Sequence, residues 1–239
     1  MRVNWNILKL FLLFIIVALL YAFTSDKNTN RKVDSLNIEF VDNKYPFLTE
    51  ENVSKLLIQN NVKLTGVPKD ILDLNELETA LNKNPIIKNA EVYMSVNGEL
   101  TAEIEQKNPI ARVNTNASYY IDESGSYMPL SSNYSARVPL VTGLIEKNNL
   151  GNVYKVAKKV HDDDILIKYV TEIHQNNNKT ISLRFRQNNF KVYLGEVINM
   201  DKKFSNLKAF YQKALKDNTL NTYSIVNLQF DNQVVCTKK

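Results

Sequence analysis

The spacing of hydrophobic positions changes along this chain, and each change predicts an element. Leu10 to Phe23 is an unbroken apolar run, extended behind Lys9 by Ile7 and Leu8. Eleven of the fourteen residues from Leu10 are Leu, Ile, Val or Phe. At about −0.3 to −0.6 kcal/mol each, placing them in a bilayer gains roughly 3–7 kcal/mol, enough for one span. Residues 7–24 are therefore expected to cross the membrane, with Lys9 snorkelling to headgroups and Trp5 and Tyr21 suited to the interface. The exit Leu20-Tyr21-Ala22-Phe23-Thr24-Ser25 lacks a small-x-small cleavage pair, which favours a retained anchor over a cleaved signal peptide. Residues 1–6 would form a cytoplasmic stub with the rest of the chain outside, and the polar stretch 25–32 a spacer.

Beyond the spacer the pattern turns to alternation. Leu36, Ile38 and Phe40 read as a half-buried strand. A helix with Thr49 as N-cap and acidic Glu50 and Glu51 in its first turn follows, its stripe being Val53, Leu56 and Leu57. A second helix starts near Asp73, carries Leu74, Leu77 and Leu81 on one face, and is stopped by Pro85. Ala90, Val92, Met94 and Val96 then alternate into Asn97-Gly98, and Leu100, Ala102 and Ile104 alternate out. Asn-Gly between two period-2 runs is a strong hairpin signature. Residues 33–112 thus read as a βααββ module, two helices on one face of a three-stranded sheet.

Residues 113–239 form a second expected domain. Tyr119 to Asp122 read as a strand entering a Glu-Ser-Gly turn, followed by the apolar segments at Met128 and Val138 to Val141. Helical stripes are expected at Val153, Val156, Ala157 and Val160, and at Leu166, Tyr169, Val170 and Ile173. Ile181, Leu183 and Phe185 oppose Phe190, Val192 and Leu194 as strands; Phe204, Leu207, Phe210 and Tyr211 mark another helix. Ser224, Val226, Leu228 and Phe230 begin a final strand continued by Val234, Val235 and Cys236. The fold class is α+β: one transmembrane helix, the βααββ domain, and a second mixed α+β domain with an antiparallel sheet.

Composition narrows the functions. Hydrophobic residues at 44% suffice for packed cores, and the net charge of +5 is scattered, without the basic runs that nucleic acid demands. The single cysteine, Cys236, excludes an intramolecular disulfide. His161 and His174 are too far apart to be i, i+4 ligands, and both are read as surface residues of a helical stretch. Asp162-Asp163-Asp164 lacks the glycine and spaced ligands of a calcium loop and is read as a solvated break between helices. No G-x-S-x-G, S-x-x-K, H-E-x-x-H or glycine-rich phosphate loop occurs, so no catalytic residue, cofactor, metal or small-molecule substrate is expected.

Two stretches carry a resemblance. Asn84-Pro85-Ile86-Ile87-Lys88-Asn89-Ala90-Glu91-Val92 resembles the turn into the hairpin of a POTRA domain, and Glu105 to Ala111 resembles the exit strand of that domain in the FtsQ/DivIB cell division family. The segments Tyr119 to Gly125, Val138 to Gly143, Val192 to Gly195, Lys203 to Leu207 and Val226 to Asp231 resemble the second half of that family, in order. The resemblance implies a single-pass inner-membrane protein of the division septum, without enzymatic activity, that binds FtsB- and FtsL-type coiled-coil partners through its C-terminal strand region and other divisome components through the POTRA-like domain. An exposed strand offers its amides and carbonyls to a partner strand. The expected partner-binding residues are Val226, Leu228, Phe230, Asp231, Val234 and Val235, with Phe230 and Val234 as apolar anchors and Lys238 and Lys239 guarding the edge. The competing reading places Val226 and Phe230 in the core. The alternatives at the level of the whole protein are a POTRA-bearing assembly or secretion factor and a membrane-anchored cell-wall enzyme.

Overall fold

In a computed structural model, the structure describes residues 5–29, 31–41, 45–60, 65–69, 71–115, 117–146, 149–186, 190–230 and 233–239. The chain divides into two compact units, Met1–Gln106 and Lys107–Lys239.

The first unit opens with α1 (Trp5–Thr29), whose stretch Leu8–Asn28 is long and apolar enough to cross a membrane. The helix outruns the expected span. Ser25, Asp26 and Lys27 continue it because no Gly or Pro intervenes. Little of the expected spacer remains, since Lys32 bridges to Pro68 and the Arg31 carbonyl accepts from the Lys69 amide at 2.7 Å.

Then come β1 (Ser35–Phe40), α2 (Glu50–Asn60), α3 (Leu74–Asn82), β2 (Ile87–Met94) and β3 (Glu99–Gln106), with sheet order β1-β3-β2. Each helix begins at its expected cap. The Thr49 hydroxyl accepts from the Asn52 amide, and Asp73 accepts from the Glu76 amide at 3.0 Å. Val53, Leu57, Leu77 and Leu81 are fully buried against Ala90, Val92, Leu100, Ala102 and Ile104 of the sheet's inner face. At the end of α3, the Asn82 side chain both donates to the Ala90 carbonyl and accepts from its amide, locking helix to strand. The β2–β3 turn is a three-residue loop. The Gly98 amide bonds the Ser95 carbonyl, and Gly98 takes φ +91°. A Cβ there would also lie 2.7 Å from the Lys32 carbonyl, so only glycine fits.

The second unit holds β4 (Pro109–Asn114), β5 (Ser118–Asp122), β6 (Tyr127–Met128), β7 (Leu140–Gly143), α4 (Gly151–His161), α5 (Leu166–Tyr169), β8 (Val170–Gln175), β9 (Ile181–Phe185), β10 (Lys191–Gly195), α6 (Met200–Lys216), β11 (Tyr223–Asn227) and β12 (Val235–Lys238). Its nine strands run in the order β12-β11-β10-β9-β8-β7-β4-β5-β6. Pro109 to Arg112, assigned from sequence to the first domain, belong to β4 and pair here with β5. Parallel pairs β7–β8 and β10–β11 follow helical crossovers before β8 and β11, and β4–β7 is parallel across β5, β6 and the loop that follows them.

The core lies between this sheet and the helices. Val153, Val156, Ala157 and Val160 of α4 follow helical spacing and are all fully buried. Each valine contributes about 1.5–3 kcal/mol by leaving water. The expected helical stripe through Val170 and Ile173 is corrected. Only Leu166–Tyr169 is helical, and both residues lie in β8, where β-branched Val170, Thr171 and Ile173 fit between β7 and β9. His174 accordingly stands on a strand and not on a helix.

Candidate partner-binding edge

The stretch expected as one last strand is a hairpin. Asn227 pairs with Val235, Val226 with Cys236 and Ile225 with Thr237, antiparallel. β11 is therefore interior, held by β10 on one side and β12 on the other, and the bare edge is β12. The sign of the break was present in the sequence: Asp231-Asn232 is a turn-favouring pair between two apolar runs.

This placement sorts the expected site residues. Val226 and Leu228 are buried at 0% and 1% and belong to the second unit's core. Val235 lies on β12 itself and is 40% exposed, Phe230 is 46% exposed, and Val234 is half-buried against the core. Asp231 lies outside the described residues. Sequence reasoning missed Ile225, 42% exposed on the face of the sheet that also carries Val235 and Thr237. Alternation within Tyr223–Asn227 would have found it, since Val226 inward leaves Ile225 outward.

The edge is pinned in place. The Ser224 hydroxyl donates toward the Thr237 and Lys238 carbonyls at 3.2 Å each, and the Lys239 amide bonds the Thr222 carbonyl at 2.9 Å. Beneath it the Tyr223 and Phe210 rings meet edge-on with centroids 5.4 Å apart. Cys236 points toward this apolar side, and burial pushes its thiol above the ordinary range, which makes it a poor thiolate nucleophile. A strand laid along β12 would find Val235 and Ile225 on one face and half-buried Cys236 on the other.

A polar cluster sits on the middle strands. The Thr142 hydroxyl donates to Glu172 at 2.6 Å and contacts His174 Nδ1 at 2.8 Å, while Arg184 pairs with Glu172 at 3.3 Å. A hydroxyl has one proton, so the His174 Nδ1–H is the donor in the second contact. His161 meets Glu123 at 3.3 Å at the end of α4. Among the described residues, no three His, Cys, Asp or Glu side chains gather closely enough to hold a metal ion.

Among the described residues, one apolar helix long enough to cross a membrane precedes a βααββ unit and a large mixed sheet, the build of a single-pass membrane protein. Two family models agree with this division: a POTRA-like domain over residues 31–105, and "FtsQ/DivIB, C-terminal related" over residues 108–237. The second alone covers more than half of the chain, which therefore belongs to the FtsQ/DivIB family of cell division membrane proteins. The chain is also similar to the cell division protein FtsQ of Geotalea daltonii, 22% identical over 179 residues. That match covers 70% of this chain and 64% of the relative's length.

Proposed function

We propose that this protein is a non-catalytic scaffold of the division septum that recruits single-pass coiled-coil partners of the FtsB/FtsL type by adding a partner segment to β12. The observation that supports this most is the sheet order, in which β12 is a terminal strand with one neighbour among the described residues and mostly exposed side chains. Backbone pairing supplies affinity there, and Val235, Ile225 and Phe230, each 40–46% exposed, supply apolar contacts. In this reading α1 holds the chain in the inner membrane with its N-terminus in the cytoplasm. The POTRA-like unit meets other divisome components.

The test uses the full chain co-expressed with an FtsB/FtsL-type pair and purified from membranes. Lys238→Pro removes an amide on the open side of β12, since the neighbouring Lys239 amide turns inward to Thr222, and Val235→Glu sets a charge among the apolar contacts. Both should abolish co-purification while the protein remains folded by circular dichroism. Undiminished capture by both folded variants would remove β12 as the site.

A further inference from the structure

The polar connection between α1 and the first unit is too short to hold that unit away from the bilayer. If the hydrocarbon ends near Thr24, five further helical residues rise roughly 8 Å, about the depth of a headgroup layer. The chain is then clamped within a few residues of Thr29. The Arg31 carbonyl accepts from Lys69 at 2.7 Å, Val33 donates to the Val67 carbonyl at 3.0 Å, and Asp34 donates to the Gly98 carbonyl at 2.8 Å. The Lys69 ammonium reaches back to the Asn28 side chain of α1 at 3.5 Å. The turn 66–69 and the β2–β3 hairpin tip therefore stand level with the helix exit.

We infer that this base of the POTRA-like unit is a second membrane contact, seated on the headgroup phosphates of the bilayer that α1 crosses. Two large apolar side chains mark it, both facing solvent: Val96 at the hairpin tip, 76% exposed, and Ile71 just past the turn, 72% exposed. The segments that meet here bring Lys27, Arg31, Lys32 and Lys69 together with the carboxylates Asp26, Asp34, Asp73 and Glu99 among the described residues. Exposed apolar tips with lysines and arginine beside them match the interface, where acyl chains begin and headgroup phosphates accept from cations. The contact also explains why a valine occupies a hairpin tip, where polar residues ordinarily stand. Its effect is to fix the angle of the first unit to the membrane plane. The inference rests on α1 being embedded, as the proposed function requires.

The experiment reconstitutes the full chain, with Cys236→Ser, in vesicles of phosphatidylethanolamine and phosphatidylglycerol carrying a nitroxide near the headgroup. Single cysteines labelled with an environment-sensitive fluorophore are placed at Val17, Val96, Ile71 and Val41. Val41 is also exposed and apolar, at the far end of β1, roughly 20 Å along the strand. Blue-shifted, quenched emission at Val17, Val96 and Ile71, with Val41 unquenched, is the expected result. Replacing Lys32 and Lys69 by Glu should reduce the quenching at Val96 but not at Val17. Quenching at Val17 with Val96 and Ile71 behaving like Val41 would overturn the inference and leave the anchor intact. Absence of quenching at Val17 would instead overturn the anchored reading itself, and the inference with it.

Discussion

The two ends of the nine-stranded sheet are finished differently. At the β6 end the terminal strand is two residues long, and Met128 is fully buried. The Tyr120 hydroxyl on the neighbouring strand accepts from the Ala136 amide at 3.1 Å, drawing the loop that follows β6 over the sheet. Asp122, 3% exposed, closes the intervening turn by accepting from the Ser124 and Ser126 amides at 2.9 and 2.8 Å and pairing with Lys107. At the β12 end the terminal strand is four residues long and carries exposed Val235. A sheet must guard its edges against unwanted pairing, and shortness with a covering loop is one way. Leaving the other end bare makes sense where pairing is the purpose. Substitutions at the sheet's middle and β6 end should therefore cost stability, and those at β12 should cost binding.

The largest effect is expected at Gly143. It has φ +94°, and a Cβ there would fall 2.0 Å from the Gln175 carbonyl across the β7–β8 pair. Gly143→Val should cost more than about 3 kcal/mol and leave the second unit unfolded at growth temperature, read by thermal melting. Met128→Ala, which opens a cavity beneath β6, should cost about 2–4 kcal/mol in urea titration. Tyr120→Phe leaves the packing but strands the Ala136 amide, for about 1–2 kcal/mol.

Asp163 gives a pH-dependent test away from both ends. Burial alone would push its carboxyl up. The Lys208 hydrogen bond, the Leu166 and Ile165 amides and the Lys208 charge outweigh burial and hold it below its ordinary value of 3.8. A carboxyl held low adds stability above that ordinary value and loses it as the pH falls through the native value. Asp163→Asn should thus be less stable than the parent by about 1 kcal/mol at neutral pH, with the gap closing below pH ~4. The smallest stability change is expected for Val235→Glu, within about 0.5 kcal/mol because the site is exposed. A large loss there would show that β12 is part of the fold's support and break the contrast between the ends.

Where a pattern had one physical cause, it was legible in the sequence. The caps at Thr49 and Asp73, the α4 stripe and the β2–β3 hairpin were legible because a polar oxygen before an amphipathic run, or glycine between alternating runs, permits few other structures. Val170 and Ile173 misled because residues three apart satisfy a helix as well as a bulged strand, and their true neighbours, β7 and β9, are distant in sequence. The edge was misplaced for a related reason. Alternation shows that Val226 faces inward, but not that a second strand returns to cover β11. Of the residues expected to bind a partner, Phe230 and Val235 are exposed and Val226 and Leu228 are buried. Ile225 was overlooked although strand alternation beside the inward-facing Val226 places it outward.

One residue offers a chemical gauge of this sheet. The Lys203 ammonium, in a side chain only 4% exposed, donates to the Leu194 and Glu196 carbonyls at 3.0 and 2.8 Å where the chain leaves β10. An amine held so cannot be acylated until α6 lifts from the strand, so its modification rate counts those openings. A segment docked on β12 would brace β11 and β10 in turn, and the slowed acylation of a lysine far from the contact would report its arrival.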